Sequence, residues 1–161
     1  VTRLYMPAAI SSRAVDADQY AIARDLAAWK RQVRAGWSTL RIEHVEADGV
    51  GDAVMQGATI TVRAFVALGQ LAPDDVTVQV VHGRVDADDR LTSPVASAME
   101  AVEGYEGNRW QYRLVIDLDR NGPFGSTVRI LPRHGGLAAA QELGLQVLPP
   151  ESAGLADGVL R

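Results

Sequence analysis

The sequence predicts a mainly β fold: an immunoglobulin-like antiparallel β-sandwich preceded by an N-terminal helical segment. Three observations predict it. Apolar residues recur on a 3.6-residue period up to residue 37 and on a period of 2 from residue 40 onward. About seven short alternating stretches follow, which is the strand complement of such a sandwich. Clusters of Gly, Pro, Asn and Asp separate them, with no helical pattern in between.

Residues 16–37 read as one helix. Asp16 suits an N-cap, and Gln19 stands three positions later, the spacing of a capping box. Ile22, Leu26, Trp29, Val33 and Trp37 then form a single apolar stripe, with Arg24, Lys30, Arg31 and Arg34 largely off it. Gly36 sits where a helix could end. Residues 3–14 read as a separate short helix, with Pro7 near its first turn.

From residue 40 the alternation is strand-like. Leu40, Ile42 and His44 share one face. So do Ile60, Val62, Ala64, Val66 and Leu68, then Val76, Val78 and Val80. Trp110, Tyr112, Leu114, Ile116 and Leu118 make a fourth apolar face, and Phe124, Ser126, Val128 and Ile130 a fifth. Weaker strands cover 90–95 and 97–103. Turns are expected at Asp48-Gly49, Met55 to Gly57, Pro73 to Asp75, Asp86 to Asp89, Gly104 to Asn108, and Asn121-Gly122-Pro123. Gly135-Gly136 is a flexible joint, Leu137 to Leu143 a short turn of helix, and the stretch from Glu151 a disordered tail. The expected organisation is therefore a helical segment over 1–38, a β-sandwich over 39–134, and a partly disordered extension over 135–161.

Composition removes several function classes. With 161 residues, 47% of them hydrophobic and 22% charged, the chain is ordinary globular material. A net charge of −4 gives no pull toward nucleic acid or acidic membranes. No apolar run approaches the ~18 residues of a spanning helix. The absence of cysteine excludes disulfides and thiolate zinc sites and fits the cytoplasm. The abrupt start at Val1, without a signal-like segment, reads as a piece cut from a longer chain.

No stretch looks catalytic. Asp86, Asp88 and Asp89 offer hard oxygen ligands at calcium-loop positions, but the Gly and the bidentate Glu of an EF-hand are missing, so a polar hairpin tip explains them. His44, His82 and His134 lie far apart without acidic partners at metal spacing, and the first two continue apolar strand faces, which suits partial burial. No Gly-x-Ser-x-Gly elbow and no phosphate-binding glycine loop occurs. Two surfaces remain open to a binding reading. Trp110 and Tyr112 share a strand face, and Tyr105 lies in a turn. Flat aromatics at such positions would stack on sugar rings, although Leu114, Ile116 and Leu118 mark that face as core. Trp29 and Trp37 would form an interface, including one for self-association into a homo-oligomer, if nothing within the fold covers them.

Two stretches together carry a family resemblance. Leu4-Tyr5-Met6-Pro7-Ala8-Ala9, followed by Leu26-Ala27-Ala28-Trp29-Lys30 and Val33-Arg34-Ala35-Gly36-Trp37, resembles the end of the catalytic region of bacterial α-glucan (glycogen) phosphorylases. Val76 to Asp89 and Gly122 to His134 resemble the C-terminal β-domain of the actinobacterial form, and Leu143-Gly144-Leu145 matches its usual ending. The resemblance implies a parent enzyme that cleaves α-1,4-glucan with phosphate to give glucose 1-phosphate, using pyridoxal phosphate on a lysine. The one lysine here, Lys30, matches no cofactor motif, so no catalytic, cofactor or metal residue is carried over. What the resemblance implies for this chain is a non-catalytic domain, partnered by the rest of the phosphorylase, that stabilises the enzyme, mediates oligomer contacts or holds the polymeric substrate; the alternatives are a glucan-binding module using Tyr105, Trp110 and Tyr112, and a protein-interaction domain.

Overall fold

The computed structural model describes residues 2–49, 57–118 and 123–150, with side chains from residue 16 onward. The expected turns at Met55-Gln56 and Asn121-Gly122, and the tail from Glu151, lie outside the described residues. The chain divides into two compact units, Val1–Ala35 and Gly36–Arg161.

The first unit is a single helix, α1, Thr2–Gly36. It is continuous where the sequence suggested two helices, and Asp16 is an interior residue, not a cap. Alanines at 8, 9, 14, 17, 21 and 23 explain this: their high helix propensity carries the backbone through a residue that would otherwise start a new helix. The helix ends at Gly36 as expected. The apolar stripe is only partly realised. Ile22 is 64% exposed, Leu26 and Trp29 are half-buried, and Val33 is buried. Trp37 is not on the stripe, because the chain tightens there into a 3₁₀ turn, Trp37–Thr39. None of the described helices is long and apolar enough to cross a membrane.

The second unit is built from β1 (Arg41–Asp48), β2 (Thr59–Ala67), β3 (Val76–Val85), β4 (Leu91–Ala98), β5 (Glu100–Tyr105), β6 (Arg109–Asp117) and β7 (Phe124–Pro132). They form two antiparallel sheets, β1-β2-β6-β5 and β4-β3-β7. The first has the order of an immunoglobulin A-B-E-D sheet once β4 is counted as an added strand. The second carries β4 on one edge. On its other edge, among the described residues, an isolated antiparallel bridge, Ile130 to Val147, stands where a further strand would pair.

The inner faces follow the alternation. Ile60, Val62, Ala64, Val66 and Leu68 are fully buried, and Val76, Val78, Val80, Val128 and Ile130 are at most 1% exposed. These β-branched side chains suit a pleated, buried surface. β4 and β5 are consecutive in sequence yet belong to different sheets. Met99 is the switch: it is buried, and its N–H donates to the Val78 carbonyl at 2.8 Å.

β1 departs from the expectation at one point. A register shift between Ile42 and His44 puts a bulge at Glu43. Ile42 stays buried, but His44 is turned to the outer face, and Val45 and Ala47 take the half-buried positions. His44 therefore does not continue the core face. His82 does sit half-buried, its Nε2 3.3 Å from Ser97 Oγ, and burial pushes its pKa down.

A hydrogen-bonded knot ties the start of the unit to the β2–β3 connection. Thr39 Oγ1 donates to the Gly36 carbonyl at 2.6 Å and accepts from Gln70 N–H at 3.1 Å. The Asn108 side-chain amide donates to the carbonyls of Gly69 (3.0 Å) and Leu71 (2.7 Å), while its oxygen accepts from Trp110 Nε1 at 3.2 Å. Asn108 has φ 54, a conformation that asparagine tolerates better than most residues.

The C-terminal stretch forms turns, not the expected helix. Leu137 N–H donates to His134, Glu142 N–H to Ala139 and Gly144 N–H to Gln141, and the Glu142 carboxylate is occupied by the Ala138 N–H. That side-chain capture offers the backbone an alternative to a helical ladder. Leu143 is nonetheless buried.

Candidate functional site

The outer face of the four-stranded sheet holds a hollow. Its geometry follows from register. Arg41, Ala67 and Arg109 stand opposite one another on β1, β2 and β6, with Tyr105 of β5 next in line. The neighbouring row is His44, Phe65, Gln111 and Glu103. Side chains in such rows lie within reach of one another across the strands.

In the first row Ala67 is small, and the Arg109 side chain crosses it to reach Glu43. Arg109 Nε and Nη2 lie 2.8 and 2.7 Å from Glu43 Oε2, and Arg41 Nη2 is 3.5 Å from Oε1. The hydrogen bond from Arg109 holds the Glu43 carboxyl below its usual range, against a smaller opposing effect of desolvation. The bulge makes this possible by freeing Glu43 from the ladder.

In the second row the His44 and Phe65 rings are stacked, centroids 4.2 Å apart and planes within 13°. Tyr105 Oη lies 2.8 Å from Glu103 Oε2 and 3.0 Å from Gln111 Oε1, and its pKa is raised by the hydrogen bond to Glu103. Glu43, His44, Phe65, Tyr105 and Arg109, with Val66 and Trp110, line a hollow of about 310 Å³, at the small end of the range for small-ligand sites.

The residues singled out from sequence fall in different places. Tyr105 is 42% exposed and lies on the rim of the hollow. Trp110 is half-buried, its ring against Gly104 at the sheet edge. Tyr112 is only 4% exposed and offers no ring face to a ligand. Trp37 is 9% exposed, so it presents little surface, and Trp29 is half-buried on α1. Nothing in the sequence pointed to Glu43 or Arg109 as site residues, and its alternation placed His44 on the core face. Phe65 did carry a signal, as the one large aromatic on the otherwise polar face of β2.

Tyr112 has a further property. Its hydroxyl is buried with no hydrogen-bond partner among the described residues. Burial pushes its pKa up to about 12, with smaller effects from Arg133 and Asp74. A raised tyrosine pKa means that the neutral form is favoured in the folded state. Its contribution is complete below the ordinary value of 10.0 and is lost as pH rises toward about 12. Tyr112→Phe should leave stability at neutral pH unchanged or slightly raised, since an apolar ring replaces an unsatisfied polar group. It should also reduce the alkaline loss. Urea unfolding at neutral pH and near pH 11 checks both.

Elsewhere among the described residues no group of three or more His, Asp or Glu side chains is placed to hold a metal ion. The Asp86 carboxylate is engaged in its own turn, accepting from Asp88 N–H at 2.8 Å and Arg90 N–H at 3.0 Å.

The family model of the glycogen phosphorylase C-terminal domain matches residues 37–150, which include all seven strands. The chain belongs to this family. Glycogen phosphorylase of Mycobacterium tuberculosis (strain H37Rv) is 41% identical over 148 residues, which cover 92% of this chain and 17% of the relative. Glycogen phosphorylase of Mycobacterium bovis is 40% identical over the same span and shares. Maltodextrin phosphorylase of Thermococcus litoralis is 26% identical over 148 residues, again 17% of its length. The chain thus spans about a sixth of these curated relatives. Within the glycogen phosphorylase C-terminal domain, the hollow is bounded by residues of β1, β2, β5 and β6, all inside the matched region. One solved structure, Pseudomonas fluorescens alkylpurine DNA glycosylase AlkC bound to DNA, matches with a TM-score of 0.43 and 14% identity over 83% of this chain and 36% of that one, too loosely to carry fold or function across.

Proposed function

We propose that this chain is the non-catalytic C-terminal part of an α-glucan phosphorylase and serves a structural and substrate-tethering role. The parent reaction is phosphorolysis of α-1,4-glucan to glucose 1-phosphate. The match to a family described as a C-terminal domain, over residues 37–150, carries this reading. Relatives named for glycogen and for maltodextrin point to α-1,4-linked glucan as the shared substrate class. The absence of cysteine supports a cytoplasmic setting.

Pyridoxal phosphate belongs to the parent in this reading, and the residues here do not fit it. Lys30, the one lysine, lies in the body of α1. There the backbone N–H groups are consumed by the helix ladder, and none is left to cradle a phosphate. The test is reduction of the full-length polypeptide with borohydride, followed by peptide mapping. The pyridoxyl group should fall on a lysine outside residues 1–161. Its recovery on Lys30 would overturn the non-catalytic assignment.

A further inference from the structure

We propose that the hollow on the outer face of the four-stranded sheet is a glucan-binding site, with the His44–Phe65 stack as its platform and Tyr105 as its second wall. The identity of the ligand as α-1,4-glucan rests on the phosphorylase reading above. The sugar-binding character rests on the geometry alone.

A pyranose ring has an apolar C–H face and a rim of hydroxyls. It needs a flat apolar surface together with donors and acceptors at the edge. The face supplies both. His44 and Phe65 stack face to face, centroids 4.2 Å apart, so each ring fixes the other and the stack offers a sugar its outer ring face and its edges. Tyr105 stands exposed across the hollow. At the edge, Glu43 and Arg109 form a fixed pair. Both short contacts from Arg109 fall on Glu43 Oε2, and among the described residues Oε1 meets Arg41 at 3.5 Å, longer than an ordinary hydrogen bond. Oε1 therefore keeps acceptor capacity for a hydroxyl. The pair is already held in place, so little side-chain entropy is lost on binding.

A protein partner fits the same face less well. A stable protein interface needs about 1,000 Å² or more of complementary surface with its charges at the rim. Here the charged pair converges on a concavity of about 310 Å³, room for one or two sugar rings. So small a site implies weak binding, with Kd on the order of millimolar.

The test is titration of this chain with maltoheptaose, followed by backbone amide shifts, beside cellohexaose as the β-linked control. Saturable shifts at His44, Phe65, Tyr105 and Arg109 are expected, with weaker ones for cellohexaose. Phe65→Ala should weaken binding roughly tenfold through the lost stacking surface. Because Phe65 lies mid-sheet and its loss could disturb folding, Tyr105→Ala on the edge strand is the second variant, with the same expected loss and a retained amide spectrum. Absence of shifts at millimolar maltoheptaose, or shifts confined to another face, overturns the site. If the face instead packs against the remainder of a phosphorylase, its amides are protected from exchange in the full-length polypeptide and stay unshifted by sugar in both forms. Failure of the phosphorylase reading looks different: no phosphorolysis by the full-length polypeptide, whatever the sugar shifts.

Discussion

Gly69→Ala should destabilise the β unit by roughly 3 kcal/mol, far more than the same change at Gly107. Both glycines have positive φ, 60 and 75. The surroundings differ. A Cβ at Gly69 would overlap the Thr39 side chain and lie 2.8 Å from its carbonyl oxygen, whereas a Cβ at Gly107 meets nothing within 4 Å. The left-handed conformation alone costs an alanine about 1–2 kcal/mol. At Gly107 that is the whole effect. At Gly69 the overlap must also displace Thr39, whose hydroxyl ties Gly36 to Gln70, and disturb the carbonyl that Asn108 holds. Urea denaturation of the two variants checks the difference. Equal losses would mean that the knot around Thr39 contributes nothing.

Ile60→Ala should cost roughly 2–5 kcal/mol, the range for truncating a fully buried aliphatic side chain. Ile60 is fully buried on β2, the strand paired with both β1 and β6. Truncation loses apolar contact on the inner face and leaves a cavity that the paired backbone cannot easily close. Val115→Ala, on the outer face of β6 where the side chain is 48% exposed, is the control and should change little. The expected result is a large drop in the urea midpoint for the first variant and near-wild-type unfolding for the second. A loss below about 1 kcal/mol for Ile60→Ala would contradict the placement of the core.

Much of the fold was legible in the sequence because burial writes itself into a period of 2. The faces of β2, β3 and β6 follow the alternation residue by residue, since one-sided burial forbids a slip of register. What the sequence hid were events decided by tertiary structure. The bulge at Glu43 costs one residue of pairing and leaves no compositional mark, yet it moves His44 from the expected core face to the outside. Asp16 carries a good cap signal, but a run of alanines outweighs it. The Glu142 side chain captures a backbone N–H and turns an expected helix into turns. The transfer from β4 to β5 through Met99 depends on which sheet has room, a fact held by distant strands. The candidate site was half legible for the same reason. Tyr105 stood out as an aromatic in a turn, but Arg109 and Glu43 are 66 residues apart in sequence and meet only because β2 lies between their strands.

The non-catalytic role is tested by phosphate-dependent release of glucose 1-phosphate from maltoheptaose, by the full-length polypeptide and by this chain alone. Release by the full-length polypeptide and none by the chain is the expected result. Product from the chain alone, or none from a folded full-length polypeptide carrying its cofactor, would contradict it.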